Sequence, residues 1–468
     1  MSDSTATTTA RLRVGSVAIP SVATIAIPLL LLAPALWNGY PLLQYDTGGY
    51  LARWYEGYLV PSRSTVFGLY LHFGEPWQFW TNLAMQAVAT LWVLWTTLRV
   101  FGVTTHFRRL AIGLTLIATT ALPWLASMLL TDIFAGLSVL TLVLLVAFSE
   151  RTSWLEKLLL FAFTAFAAAT HTGTFGVLLG LCLAALLFKP FLGARLSWAG
   201  IARGFAAVAV SAAMLLAANF ALSGKLAWTP GGAGVTFGRM LQDGIVARYL
   251  NDHCDQVKLK LCPYRNELPA TADDFLWGNS MFNTLGRFEG MDDEMRFIAV
   301  NALKAYPLWQ AKAALIATLQ QLTQVATGEG TNGWLPHTYG IIERYLPDQA
   351  RAMRNARQQH WDINFAAVNT VHVPVALGSM LLLLTILGHA TWRRRLDDVT
   401  LLAGTVALAL LGNAFICGVV SGPHDRYGAR MVWLSTFVVL IVVARWFAAR
   451  ERFRPQGLFA RKASTPSL

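Results

Sequence analysis

Charge is scarce in this chain. Lys, Arg, Asp and Glu make up 13% of its 468 residues, against about a quarter in soluble domains. With 55% hydrophobic residues and a mean hydropathy of +0.48, that deficit excludes an ordinary soluble domain and points to an integral membrane protein. The alternating ten-residue segments of a transmembrane barrel are missing too, which leaves helices. Also absent are GxxxxGKS, HExxH and GxSxG patterns. The connections on one side are too short for a nucleotide domain, so any reaction must draw on an activated substrate or an ion gradient. No internal repeat stands out, which weakens an inverted-repeat transporter reading. Cysteine is limited to four residues.

What the chain does have is a series of long apolar runs, each able to cross a hydrocarbon core of about 30 Å. Ten spans are expected, at roughly 15–37, 78–101, 109–126, 132–148, 156–170, 173–188, 201–222, 366–388, 399–420 and 430–447, the fifth and sixth being short. The first run is too long for a signal-peptide core and lacks a small-x-small cleavage site, so it reads as retained. Residues 64–75, STVFGLYLHFGE, are too short to cross and read as an interfacial helix.

The expected fold is an all-α polytopic membrane protein with interfacial helices and a mostly helical external cap. It divides into an N-terminal membrane module (1–222, about seven spans, first external loop 38–77), an external domain or cap (223–365), and a C-terminal module (366–468, about three spans and a basic tail).

Charge gives the sidedness. With both termini in the cytoplasm, cytoplasmic segments hold 19 Lys and Arg, whereas short external loops hold four: Arg53, Arg63, Arg426 and Arg430. Long domains are exempt from the positive-inside rule, so this contrast is the relevant one. The segment 223–365 is neutral, with 14 basic and 14 acidic residues, so the formal net charge of +12 faces inner-leaflet lipid and requires no nucleic-acid partner.

Cys182 and Cys417 fall inside predicted spans and read as inert small residues. Cys254 and Cys262 bracket CDQVKLKLC in the external segment. That spacing reads as a disulfide, which needs an oxidising compartment such as the bacterial periplasm. A zinc site would need two further ligands, and His253 is the one neighbour.

Several residues are candidates for chemistry. YPLLQYDTGGYLARWYEG (40–57) places Asp46 directly after the first span, beside glycines that would let backbone approach a ligand or turn sharply. Asp46 could instead cap a short helix. Asp132, in SMLLTDIFAG, lies at the external start of the fourth span, as a second carboxylate facing the same cavity or as a cap shared with Thr131. SGPHDRYGARMVWL (421–434) concentrates His424, Asp425, Arg426, Tyr427 and Arg430. If it is helical, Arg426 and Arg430 share a face and could clamp a phosphate. An Asp425–Arg426 surface pair is the plainer reading. Arg53 and Arg63 join that basic set as ligands of an anionic lipid headgroup, or as snorkelling side chains. His171 lies at an external turn, as a base, a ligand or a turn residue bonded to backbone.

Three of these features together resemble the GT-C superfamily of polytopic glycosyltransferases: an acid after the first span (YDTGGY, Asp46), an acid opening the fourth (TDIF, Asp132), and an acid-Arg-Tyr signature entering a late span (HDRYGAR, Asp425 to Tyr427). The usual proline after Arg-Tyr is replaced by Gly428 and Ala429, and ten spans are few for the family.

The resemblance implies a sugar passed with inversion from a polyprenyl-phosphate donor to an envelope glycan, lipid or protein, at the periplasmic face of a bacterial inner membrane. Asp46 would be the general base, and Asp132 would orient the acceptor or help a divalent cation (Mg or Mn) bind. Arg426, Arg430, Arg53 and Arg63, with Tyr427 and His424, would bind the phosphate. Two alternatives remain: an O-antigen ligase or polymerase, and a lipid-linked-substrate transporter. A transporter should place ionisable groups near mid-membrane, whereas here they gather at the outer boundary.

Overall fold

The computed structural model describes residues 22–59, 61–229, 232–331, 335–360 and 363–452. The predicted start of the first span (15–21) and the basic tail (453–468) lie outside the described residues. The described chain is helical, with one isolated bridge between Leu42 and Met128 and no strand.

Six helices are long and apolar enough to cross a membrane: Trp80–Val100, Thr172–Arg195, Trp198–Ser223, Phe365–Trp392, Asp398–Val420 and Asp425–Glu451. Four of the ten expected spans have a different form. The first is broken into Val22–Leu31 and Ala33–Asn38, and the third into His106–Thr119 and Leu122–Ala126. A proline sits in the first turn of each second piece, Pro34 and Pro123. The missing N–H and the constraint on the preceding residue favour a break there. The fourth, Asp132–Ala147, has 16 residues and is buried along almost its whole length. At about 24 Å it is short for a span, and protein encloses it instead of lipid. The fifth, Trp154–Thr170, is started by a capping box between Ser153 and Glu156. The sixth is longer than expected, because its helix continues through Pro190 to Leu192. Residues 64–75 do form a helix, Thr65–Gly74, capped by Ser64.

The segment 223–365 divides between two cores. Residues from Phe237 to Ala313 make their own cluster, centred on Phe275, Phe282, Met291 and Ile298. The Cys254–Cys262 disulfide, with Cα atoms 5.6 Å apart, lies at the edge of this cluster. Val325, Leu335, Tyr339, Ile342 and Met353 belong instead to the large core that contains the spans. Cys182 and Cys417 are free and buried, as expected.

Candidate functional site

Four segments distant in sequence meet at one end of the span bundle. The Leu42 N–H donates to Ser127 O and the Leu129 N–H to Leu42 O, each at 3.0 Å. Thr47 Oγ1 donates to Leu129 O at 3.1 Å. These bonds stitch the loop carrying Asp46 to the turn that opens Asp132–Ala147. Helix Pro336–Tyr345 then crosses Thr47–Glu56 at Gly48, where a Cβ would lie 2.6 Å from Thr338 Cα. The glycine beside Asp46 therefore admits a neighbouring helix, not a ligand. From the other side the last span begins at Asp425, whose Oδ1 accepts from the Ala326 N–H at 2.9 Å. That bond holds the loop carrying Glu329 against it and replaces the expected Asp425–Arg426 pair. Gly428 is where this loop passes closest, since a Cβ there would stand 1.9 Å from Gln324 O. A larger residue has no room at that point.

Asp46 occupies the N-cap position of Thr47–Glu56 but makes no capping bond. Its Oδ1 pairs with Arg63, and its Oδ2 accepts from Arg426 Nη1 at 2.6 Å. Arg426 Nε donates to Asp132 Oδ2 at 2.8 Å. Arg430 Nη1 stands 3.6 Å from the other Asp132 oxygen. The result is an alternating chain of charge, Arg63–Asp46–Arg426–Asp132–Arg430. Burial would raise the Asp46 carboxyl, but the two guanidiniums overcome that and hold it at about 2.

A cavity of about 730 Å³ opens over this chain. Asp46, Arg63, Arg426, Tyr427 and His171 are among its polar lining residues. Glu329 and His424 also line it, Asp273 and Trp277 come from the 237–313 unit, and Trp228, Ile416 and Val420 add apolar surface. His171 Nδ1 accepts from the Gly173 and Thr174 N–H groups at 3.1 and 3.4 Å, so it caps Thr172–Leu192. Burial and the nearby guanidiniums keep it well below its ordinary pKa, consistent with a neutral acceptor.

Of the residues singled out by sequence, Asp46, Arg63, His171, Arg426, Tyr427 and His424 reach the cavity. Arg53 does not line it. Arg53 is 1% exposed and donates to Thr65 Oγ1 at 3.1 Å, because its helix turns it against the start of Thr65–Gly74. Arg430 shares a helix with Arg426, as expected, but is fully buried and donates to Asn413 Oδ1 at 3.1 and 2.7 Å. It props Asp132 and does not complete a phosphate clamp. Asp132 is 2% exposed and likewise sits behind the cavity wall, holding Arg426.

Glu329 was missed. Its Oε1 lies 2.7 Å from His424 Nδ1 and its Oε2 accepts from the Arg426 N–H at 2.8 Å. The hydrogen bond to Glu329 raises the His424 pKa. Burial opposes ionisation of Glu329, but its bonds to His424 and Arg426 lower its pKa on balance. The available signal was GEG, an acid between two glycines, which reads as an ordinary turn. Among the described residues no group of three or more His, Cys, Asp or Glu is arranged to hold a metal ion. No known protein family, curated protein or solved structure matches the chain.

Proposed function

We propose that the chain is an inverting glycosyltransferase of the GT-C type, transferring a sugar from a polyprenyl-phosphate donor to an envelope acceptor. One observation carries this reading: Asp46 lies between Arg63 and Arg426 in a cavity that Trp228, Trp277, Ile416 and Val420 also line. A lipid phosphate sugar combines an anion, a hydroxylated ring and hydrocarbon, which such a mixed lining can meet.

In this reading Arg63 is the phosphate ligand that moves. Its side chain is 20% exposed and among the described residues its one ion pair is with Asp46, with a long bond to Ser62 O besides, whereas Arg426 is fixed by Asp46 and Asp132 together. Turning Arg63 toward the donor phosphate removes one of the two cations from Asp46 and makes its carboxylate more basic. Asp46 then takes the acceptor hydroxyl proton as oxygen attacks the anomeric carbon. The C–O bond to phosphate breaks on the opposite face, and the leaving phosphate departs with its electron pair beside Arg63. The two guanidiniums bond different oxygens of Asp46, so one can leave while the other still orients the base. Trp228 and Trp277 offer flat apolar faces for sugar rings. The residues present do not converge as a metal-ligand set, and no step is routed through a divalent cation.

Ten membrane-embedded segments, six long helices plus four shorter or broken ones, belong to the same reading. Both termini then face the cytoplasm of a bacterial inner membrane. The cavity and the 223–365 segment face the periplasm, where a disulfide can form. Incubating purified protein with a panel of polyprenyl-phosphate sugars and envelope acceptors tests the proposal. Product formation with one donor supports it. Efflux of a lipid-linked substrate from vesicles, with no transfer to any acceptor, overturns it in favour of a transporter.

A further inference from the structure

A second cavity, of about 720 Å³, lies at the other end of the last three spans. Helix Asp398–Val420 contributes Val399 and Thr400 to it, and Ile416, Cys417 and Val420 of the same helix line the Asp46 cavity. Sixteen residues separate Thr400 from Ile416, about 24 Å along a helix, so the two cavities lie toward opposite ends of one helix long enough to span.

Three guanidiniums, Arg393, Arg395 and Arg445, line this second cavity with His389 and a single carboxylate, Asp397. Asp397 is already occupied: its Oδ1 accepts from Thr400 N–H and Thr400 Oγ1, each at 2.8 Å, and caps the helix. The neighbouring acid, Asp398, pairs with Arg151 at 2.7 Å and lies 3.8 Å from Arg195. Among the described residues none of the three cavity guanidiniums makes an ion pair, although Arg393 stacks on Trp392 at 5.0 Å. The three guanidiniums are exposed, two on the turn after Phe365–Trp392 and one on the last helix, and Asp397 offsets part of their charge, which leaves the cavity lining net positive and favours an anion. Ile386, Ala390, Val399 and Val442 give the cavity apolar surface as well. Outside, Leu381, Leu384, Trp392 and Trp446 are exposed large apolar side chains on the same helices, as expected of a surface that meets lipid at headgroup depth.

We propose that this cavity binds the phosphate of an anionic lipid headgroup in the leaflet opposite the Asp46 cavity. Arg393, Arg395 and Arg445 hold the phosphate, and the apolar walls take the first acyl methylenes. The proposal does not depend on what reaction the Asp46 cavity performs.

The test uses the full-length protein, delipidated in detergent and exchanged against phosphatidylglycerol or phosphatidylcholine at equal mole fraction, with bound lipid read by native mass spectrometry. Phosphatidylglycerol is retained in preference by the wild type. R393Q/R395Q/R445Q loses roughly 100-fold of that preference, at about fivefold per guanidinium. R450Q keeps it, since Arg450 stacks on Trp446 outside the cavity. If the triple variant does not fold, R393Q and R445Q singly each lose about fivefold. A wild type without preference, or a folded triple variant with wild-type preference, overturns the proposal. Release of bound phosphatidylglycerol by millimolar inorganic phosphate also overturns it and assigns the cavity to a soluble phosphate.

Discussion

Arg426 bonds Asp46 at 2.6 Å and Asp132 at 2.8 Å through different nitrogens of one guanidinium. Asp132 thereby sets where Arg426 points, and Arg426 sets where Asp46 points. Asp132 itself does not line the cavity. Asp132→Asn should leave Arg426 and Arg430 buried without their shared countercharge, at about 3 kcal/mol of stability. A thermal melt in detergent measures the loss. Transfer should fall through kcat with little change in acceptor KM, and a change confined to KM would instead place Asp132 on the substrate.

Arg63 and Arg426 hold the Asp46 carboxyl at about 2, below its ordinary 3.8. A depressed carboxyl stabilises the fold above its unfolded value and loses that contribution as pH falls through the folded one. The stabilisation is therefore complete above about pH 4 and fades toward about pH 2, amounting to roughly 2 kcal/mol. Arg63→Met should move this acid loss to higher pH. Acid titration of the melting temperature, wild type against variant, is the measurement, and identical curves would show that Arg63 does not act on Asp46.

His424 and Glu329 make the opposite pair of shifts. His424 is raised from 6.5 by its bond to Glu329, so its contribution is full below that value and is lost as pH rises through the folded one. Glu329 is lowered from 4.5 with burial opposing, so its contribution is full above that value and is lost on acidification. Together they hold the 324–331 loop against the last span most firmly between about pH 4.5 and 6.5. Glu329→Gln should return the His424 titration, followed by NMR, toward 6.5. A titration unchanged by the substitution would break the pairing.

Much of this was legible in the sequence, for identifiable reasons. Asp46, Arg63 and Arg426 were found because ionisable residues beside membrane spans are few, so each one draws notice. The disulfide was found because CDQVKLKLC closes a short ring. Arg53 and Arg430 were misplaced because spacing shows that side chains share a helix or a loop, not which neighbour that helix turns them against. Pro34 and Pro123 were visible, but an apolar run remains apolar on both sides of a break. Glu329 was overlooked because its partners are about a hundred residues away, and nothing local separates GEG from any other turn.

The Cys254–Cys262 bond closes a ring of nine residues at the edge of the 237–313 core. In the chain-entropy treatment a ring of that size contributes roughly 2 to 3 kcal/mol. Cys254→Ser should therefore speed hydrogen exchange across helices Ile245–His253 and Arg287–Ala305. Amides around Asp46, which belong to the other core, should be unaffected. Equal loosening of both would mean that the two cores unfold as one unit.

Asp46→Asn is the most direct test of the proposed chemistry, with transfer from a polyprenyl-phosphate sugar and binding of the unglycosylated polyprenyl phosphate measured on the same preparation. A general base contributes about 10²- to 10⁴-fold. Transfer should fall by that factor, while polyprenyl phosphate still binds, because Arg63 and Arg426 are both retained and no longer share a carboxylate. Undiminished transfer by the folded variant would contradict the assignment of Asp46 as the base.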